Sequence, residues 1–241
     1  MSEPIPSATV VLLREMNQGI EVLLLKRNSK IAYGGAWVFP GGKIDASDYE
    51  PENKGVATAD NNSSSPLDKA LHNSKMLSAA QNAACRETIE EAGLHIDRDQ
   101  LVLYAHWTTP VVRPKRFSTW FFLVPANKHE VTIDGGEIHD HSWRSPSDAL
   151  KAHQAGEIEL IPPTYLALLE LASYSSVSDV MSTFSKKSPQ AFEPRIEILP
   201  DGFCHLYEED AGYEETKHDT EGARHRLYTK HNREWIYERS I

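Results

Sequence analysis

Two apolar runs, ATVVLLRE (8–15) and IEVLLLKR (20–27), flank the short polar stretch MNQG, and this spacing predicts a β-hairpin. AWVFP (36–40) continues the sheet until Pro40, Gly41 and Gly42 stop it. LVLYAHWTT (101–109) and STWFFLVPA (118–126) are two further strands. PPTYLALLELASY (162–174) reads as a helix with proline at its start, and a shorter helix is expected from about Ser147. RIEILPDGFCHLYEED forms a hairpin candidate with Asp201 and Gly202 at the turn, and the last residues supply two more strands. Strands and helices mix without regular βαβ alternation, so the fold class is α+β. The expected organisation is one domain over residues 1–180 and a β-rich extension over 187–241 packed on or near it.

Between these elements lies ASDYEPENKGVATADNNSSSP (46–66), almost free of large apolar residues and expected to be a surface loop. LDKALHNSKMLSAAQNAACRETIEEAGL follows, read as a helix closed by Gly93. At 3.6 residues per turn, Glu87, Glu90 and Glu91 share one face, with Ala80, Ala83 and Ala84 on the same side. Cys85, Ile89 and Ala92 fall opposite and are expected to meet the core. A solvated face is the commoner fate of such glutamates. Crowded carboxylate oxygens also suit a hard cation such as Mg²⁺ or Mn²⁺.

Composition narrows the functions available. The 241 residues carry 25 Lys and Arg against 35 Asp and Glu, a net charge of -10. Such a chain is a poor general binder of nucleic acid, whose affinity comes largely from released counterions. An anionic substrate then needs a local basic site or a bound metal. No run of about 18 apolar residues is present, so no membrane span is expected. The start MSEPIPSATVVLL has no basic n-region, and two cysteines, Cys85 and Cys204, make no disulfide framework. These features point to a reduced, cytoplasmic setting.

The glycine pair and RETIEEAGL together resemble the Nudix box, G-x5-E-x7-R-E-U-x-E-E-x-G-U, with U a bulky apolar residue. Arg86, Glu87, Glu90, Glu91, Gly93 and Leu94 match its second half. Thr88 stands at the apolar position, Ser78 falls eight residues before the arginine where the box has glutamate, and 46–77 is inserted between the halves. The likeness extends over about 8–174, through TTPVVRPKRFSTWFF and GEIHDHSW, and is similar to the Nudix branch of peroxisomal-type coenzyme A diphosphatases.

That resemblance implies hydrolysis of a nucleoside diphosphate linked to another group, with Mg²⁺ or Mn²⁺ as cofactor. It implies Arg86, Glu87, Glu90 and Glu91 as catalytic residues, and Glu87, Glu90, Glu91, the Gly41 carbonyl and Glu137 as metal ligands. Arg27, Lys43, Arg113 and Arg116 are candidates for phosphate binding; Lys115 has the weaker claim, because arginine forms bidentate phosphate contacts. Coenzyme A or acyl-coenzyme A is the favoured substrate by resemblance. ADP-ribose, NADH and nucleoside triphosphates stay open, as does a Nudix-fold regulatory module that binds without catalysis. Trp37 and Trp107 could stack on a base but belong more often to a core, and His139 and His141 more often to solvent. Arg224, His225 and Arg226 lie near the substrate if the extension folds over the cleft but are more commonly surface decoration, and the C-terminal strands read as a lid or a homodimer contact.

Overall fold

A computed structural model describes residues 3–16, 19–29, 34–49, 73–126 and 130–240. Most of the polar insertion, residues 50–72, and the turn at 17–18 lie outside these residues.

The apolar runs form the strands they predict. β1 (Ile5–Met16) and β2 (Gly19–Arg27) pair as an antiparallel hairpin, with Met16 opposite Gly19. β3 (Ala36–Val38) pairs with β2, and β4 (Gly41–Lys43) turns back to pair with β1. β5 (Val102–Thr108) and β6 (Phe117–Pro125) are antiparallel, and β6 runs parallel to β1 from Ile5–Phe117 to Leu13–Pro125. β7 (Ile138–Arg144) pairs with β2. Short β8 (Glu159–Leu160) and β9 (Gln190–Phe192) close the two edges by parallel pairing with β3 and β5.

β1 is apolar on both sides because the sheet is covered on both faces. Ala8, Val10 and Leu12 point into one core, and Val11 and Leu13 into the other. The first core is roofed by α1 (Ser74–Ala92). The second is covered by α2 (Pro146–Gln154), α3 (Pro162–Leu171) and α4 (Val177–Phe184). α2 starts earlier than Ser147, because Ser145 caps it through the Asp148 amide and Pro146 fills the first turn. No described helix is long and apolar enough to cross a membrane.

The C-terminal strands make a second, antiparallel sheet of β10 (Arg195–Leu199), β11 (Gly202–Leu206), β12 (Arg224–Lys230) and β13 (Trp235–Ser240). Tyr207 and Leu227 enter the core shared with α2–α4. Phe192 stacks on Trp107 with centroids 4.0 Å apart, and Tyr207 meets Trp107 edge-on. The Tyr165 hydroxyl donates to the Trp235 carbonyl at 3.1 Å.

The 224–226 segment departs from the sequence reading. Arg226 and His225 are buried, and Arg226 forms a two-pronged pair with Asp210 at 2.7 and 2.5 Å. Asp210 also accepts from the His225 and Gly212 amides. A buried ion pair of this kind is strongly destabilising when only one partner is removed. Asp210→Ala is therefore expected to lower unfolding stability by about 3–5 kcal/mol in urea, with Asp210→Leu combined with Arg226→Met costing much less. An Asp210→Ala protein as stable as wild type would contradict this.

Candidate active site

The turn after β3 shows why the backbone there is bare. β4 lies so close to β1 that a Cβ on Gly41 would fall 2.3 Å from the Ala8 carbonyl oxygen. A Cβ on Gly42 would fall 2.3 Å from Glu87 Oε1. One glycine permits the strand pairing, and the other leaves the space a carboxylate occupies. The Gly41 N–H donates to Glu91 Oε2 at 2.9 Å.

The glutamates of α1 do not share one environment. Ala80, Ala83, Ala84 and Ala92 are fully buried against the sheet, whereas Ile89 is 40% exposed. The core face is therefore the alanine face, where small side chains let helix and sheet approach closely. Glu91 turns inward with it and is 5% exposed; Glu87 sits at the boundary and Glu90 reaches solvent. Thr88, where the box has an apolar residue, is buried, and its hydroxyl is satisfied by the Ala84 carbonyl at 2.7 Å.

Arg86 ties the site together. Its Nη1 donates to Glu87 Oε1 at 2.8 Å and to Glu90 Oε2 at 3.0 Å. Its Nη2 donates to the Lys43 carbonyl at 2.9 Å. Nε and Nη2 together grip Asp48 at 3.1 and 2.9 Å. Asp48 is buried at the end of a 3₁₀ turn, Ala46–Asp48, and its carbonyl accepts from Asn82. Burial alone would push its carboxyl up, but hydrogen bonds from Arg86 and the Asp45 amide, with the Arg86 charge, hold it below the usual range.

Asp48 is the residue the sequence reading passed over. Counting G-x5-E forward from Gly42 lands on it, whereas counting back from Arg86 lands on Ser78. The acidic position stands before the insertion and is filled by aspartate. Ser78 instead accepts a hydrogen bond from Arg98 at 2.7 Å.

A cleft of about 650 Å³ opens beside this cluster. Gly41, Gly42, Arg86, Glu87 and Glu90 line it, with Arg27, Lys43, Arg113 and Lys115 as its bases and Glu137 from the loop before β7. Arg27 lies 3.5 Å from Glu137. That loop is fixed by Asp134, which accepts from the Glu137 and Ile138 amides at 2.9 and 3.0 Å. Arg116 is not in the cleft; it is buried and bonded to the Thr109 carbonyl and to Glu193, both at 2.9 Å. Trp37 is core, while Trp107 is buried yet forms part of the cleft surface. His139 and His141 are exposed.

Among the described residues, no three His, Cys, Asp or Glu side chains are gathered as a closed metal cage. Glu87 and Glu90 rest on Arg86, and Glu91 on the Gly41 amide. The donor chemistry nevertheless fits a hard cation, because every candidate ligand is an oxygen. Burial pushes the Glu91 carboxyl up to about 8; the Gly41 amide and Arg27 pull it down, and the charges of Glu87 and Glu137 push it further up. Glu87 is raised as well, chiefly by burial.

A solved NUDIX hydrolase from Alicyclobacillus acidocaldarius superposes on 78% of this chain and 100% of its own, with a TM-score of 0.62 at 23% identity. The chain thus has the Nudix fold. Its box residues are similar to those of Nudix hydrolases, and the chain is similar to the relatives that follow. The acyl-coenzyme A diphosphatase NUDT19 of Xenopus laevis is 27% identical over a match covering 81% of this chain and 72% of that protein. Its human counterpart is 32% identical over 49% of this chain, and that match spans 35% of the human protein. No family model matches the sequence.

The raised Glu91 carboxyl sets a pH dependence. Its folded value lies above its ordinary value of 4.5, so the stability it lends is complete below about 4.5 and lost as pH rises toward 8. In metal-free protein, Glu91→Gln is expected to be more stable than wild type by on the order of 2 kcal/mol near pH 8.5, the gap closing near pH 5. Thermal unfolding at the two pH values checks this, and a gap that does not change with pH would refute it.

Proposed function

We propose that this chain is a divalent-cation-dependent diphosphatase that hydrolyses the diphosphate bond of a nucleoside diphosphate derivative. Coenzyme A or an acyl-coenzyme A is its substrate, and Mg²⁺ or Mn²⁺ its ion. The observation that carries this reading is the burial of Glu91 beside Glu87 at a glycine turn that opens on a cleft. A solvated acidic helix would have no reason to hold a carboxylate there. The name of the Xenopus relative supports the choice of substrate.

In this reading Glu87, Glu90 and Glu91 hold the ion, with the Gly41 carbonyl and Glu137 as further oxygen donors. A bound divalent cation supplies a water of lowered pKa and neutralises charge on phosphate oxygens. Arg86 aligns the carboxylates through charge-assisted hydrogen bonds and braces them against Asp48. One carboxylate of the group takes the proton of the attacking water. Arg27 and Lys43 bind the diphosphate from the cleft wall, and Arg113, beside His205, binds a further phosphate of the substrate. The free Cys85 and Cys204 suit a reducing, cytoplasmic location.

A panel of coenzyme A, octanoyl-coenzyme A, ADP-ribose, NADH and nucleoside triphosphates, with Mg²⁺ or Mn²⁺ and products identified by mass, tests the activity. Cleavage of the coenzyme A diphosphate is expected, and no turnover of any member would reject it. Gly42→Ala places a methyl where Glu87 Oε1 lies, so kcat should fall about 100-fold while the melting temperature barely moves. Full activity in that variant would remove Glu87 from the proposed site.

A further inference from the structure

The register of the first sheet fixes the long dimension of the cleft. Lys43 of β4 pairs with Ser7 of β1, Ser7 with Thr119 of β6, Thr119 with Trp107 of β5, and Trp107 with Phe192 of β9. This row crosses four strand spacings, roughly 19 Å. The glycine turn stands at one end. At the other, the chain passes from Phe192 through Pro194 into β10 of the C-terminal sheet.

The two ends differ in chemistry. The carboxylates lining the cleft, Asp45, Glu87, Glu90 and Glu137, come from the box turn, α1 and the loop before β7. Pro194, Ile196 and His205 line it from the C-terminal side, together with Ile161 and Pro163 at the start of α3. These contribute no charge, since burial and the neighbouring Arg113 lower His205 to about 4 and leave it neutral at ordinary pH. The wall is built into the fold. His205 Nε2 pairs with Thr229 Oγ1 at 3.0 Å, β11 is hydrogen-bonded on both sides, and Tyr207, directly after β11, meets Trp107 of the first sheet edge-on.

We propose that the C-terminal sheet, through Ile196 and His205, is the selectivity wall of the cleft and accepts an extended, uncharged, apolar arm carried by the diphosphate substrate. This rests on the diphosphatase reading above. A diphosphate held near Gly42 is too short to reach Ile196, so only a substrate with a long arm touches this wall. The sheet therefore contributes to choosing the substrate, while the box residues act on the bond that breaks.

The test compares coenzyme A with its octanoyl thioester, which share the diphosphate and the pantetheine arm and differ only in the apolar acyl group at the end of that arm. Both kcat/KM and calorimetric Kd in metal-free protein are measured for wild type, Ile196→Asp and Ile196→Trp, with thermal melting as the folding control. Ile196→Asp should cut the preference for the octanoyl over the free form about tenfold in either readout. Ile196→Trp should penalise palmitoyl- more than acetyl-coenzyme A. If wild type turns over neither ligand, the diphosphatase reading fails, and the Kd ratio still decides the wall. A wild type with no preference, or folded variants that weaken both forms equally, would overturn the proposal.

Discussion

One guanidinium holds the two halves of the box together. Arg86 binds the Lys43 carbonyl and Asp48 before the insertion, and Glu87 and Glu90 after it. The chain between Asp48 and α1 can be long only because this bridge, with Asn82 on the Asp48 carbonyl, docks the glycine turn onto the helix directly. Loop length adds little entropic penalty once its ends are fixed. The placement of Gly41, Gly42 and the acidic side chains follows from that docking.

The same arrangement leaves the site electrostatically incomplete. Arg86 is spread over four carboxylates, Asp45, Asp48, Glu87 and Glu90, and Glu91 has only an amide and the field of Arg27 to offset its burial. A carboxyl whose pKa burial pushes up to about 8 is a poor structural element and a good place for a cation. Stability and function oppose each other here, since the group that weakens the metal-free fold is the one proposed to bind the ion.

The strands were legible because their apolar runs are long and bounded by glycine, proline or polar turns. The helix was legible in type but not in facing. Alanines carry a weak hydrophobic signal, so Ile89 looked like the core residue although Ala80, Ala83 and Ala84 are the ones packed on the sheet. Asp48 was hidden because the insertion breaks the spacing when it is counted from Arg86. Arg226 looked like surface charge because its partner, Asp210, sits 16 residues away on another segment. The part played by His205 and Ile196 depends on how two sheets meet, which no local pattern encodes.

The central claim is that the acidic face of α1 and the glycine turn form one cation site. Crystals soaked in manganese, with anomalous difference maps recorded near the metal edge, test it directly. A peak is expected among Glu87, Glu90 and Glu91 beside Gly41. Ordered manganese elsewhere, with those carboxylates still resting on Arg86 and the Gly41 amide, would contradict it.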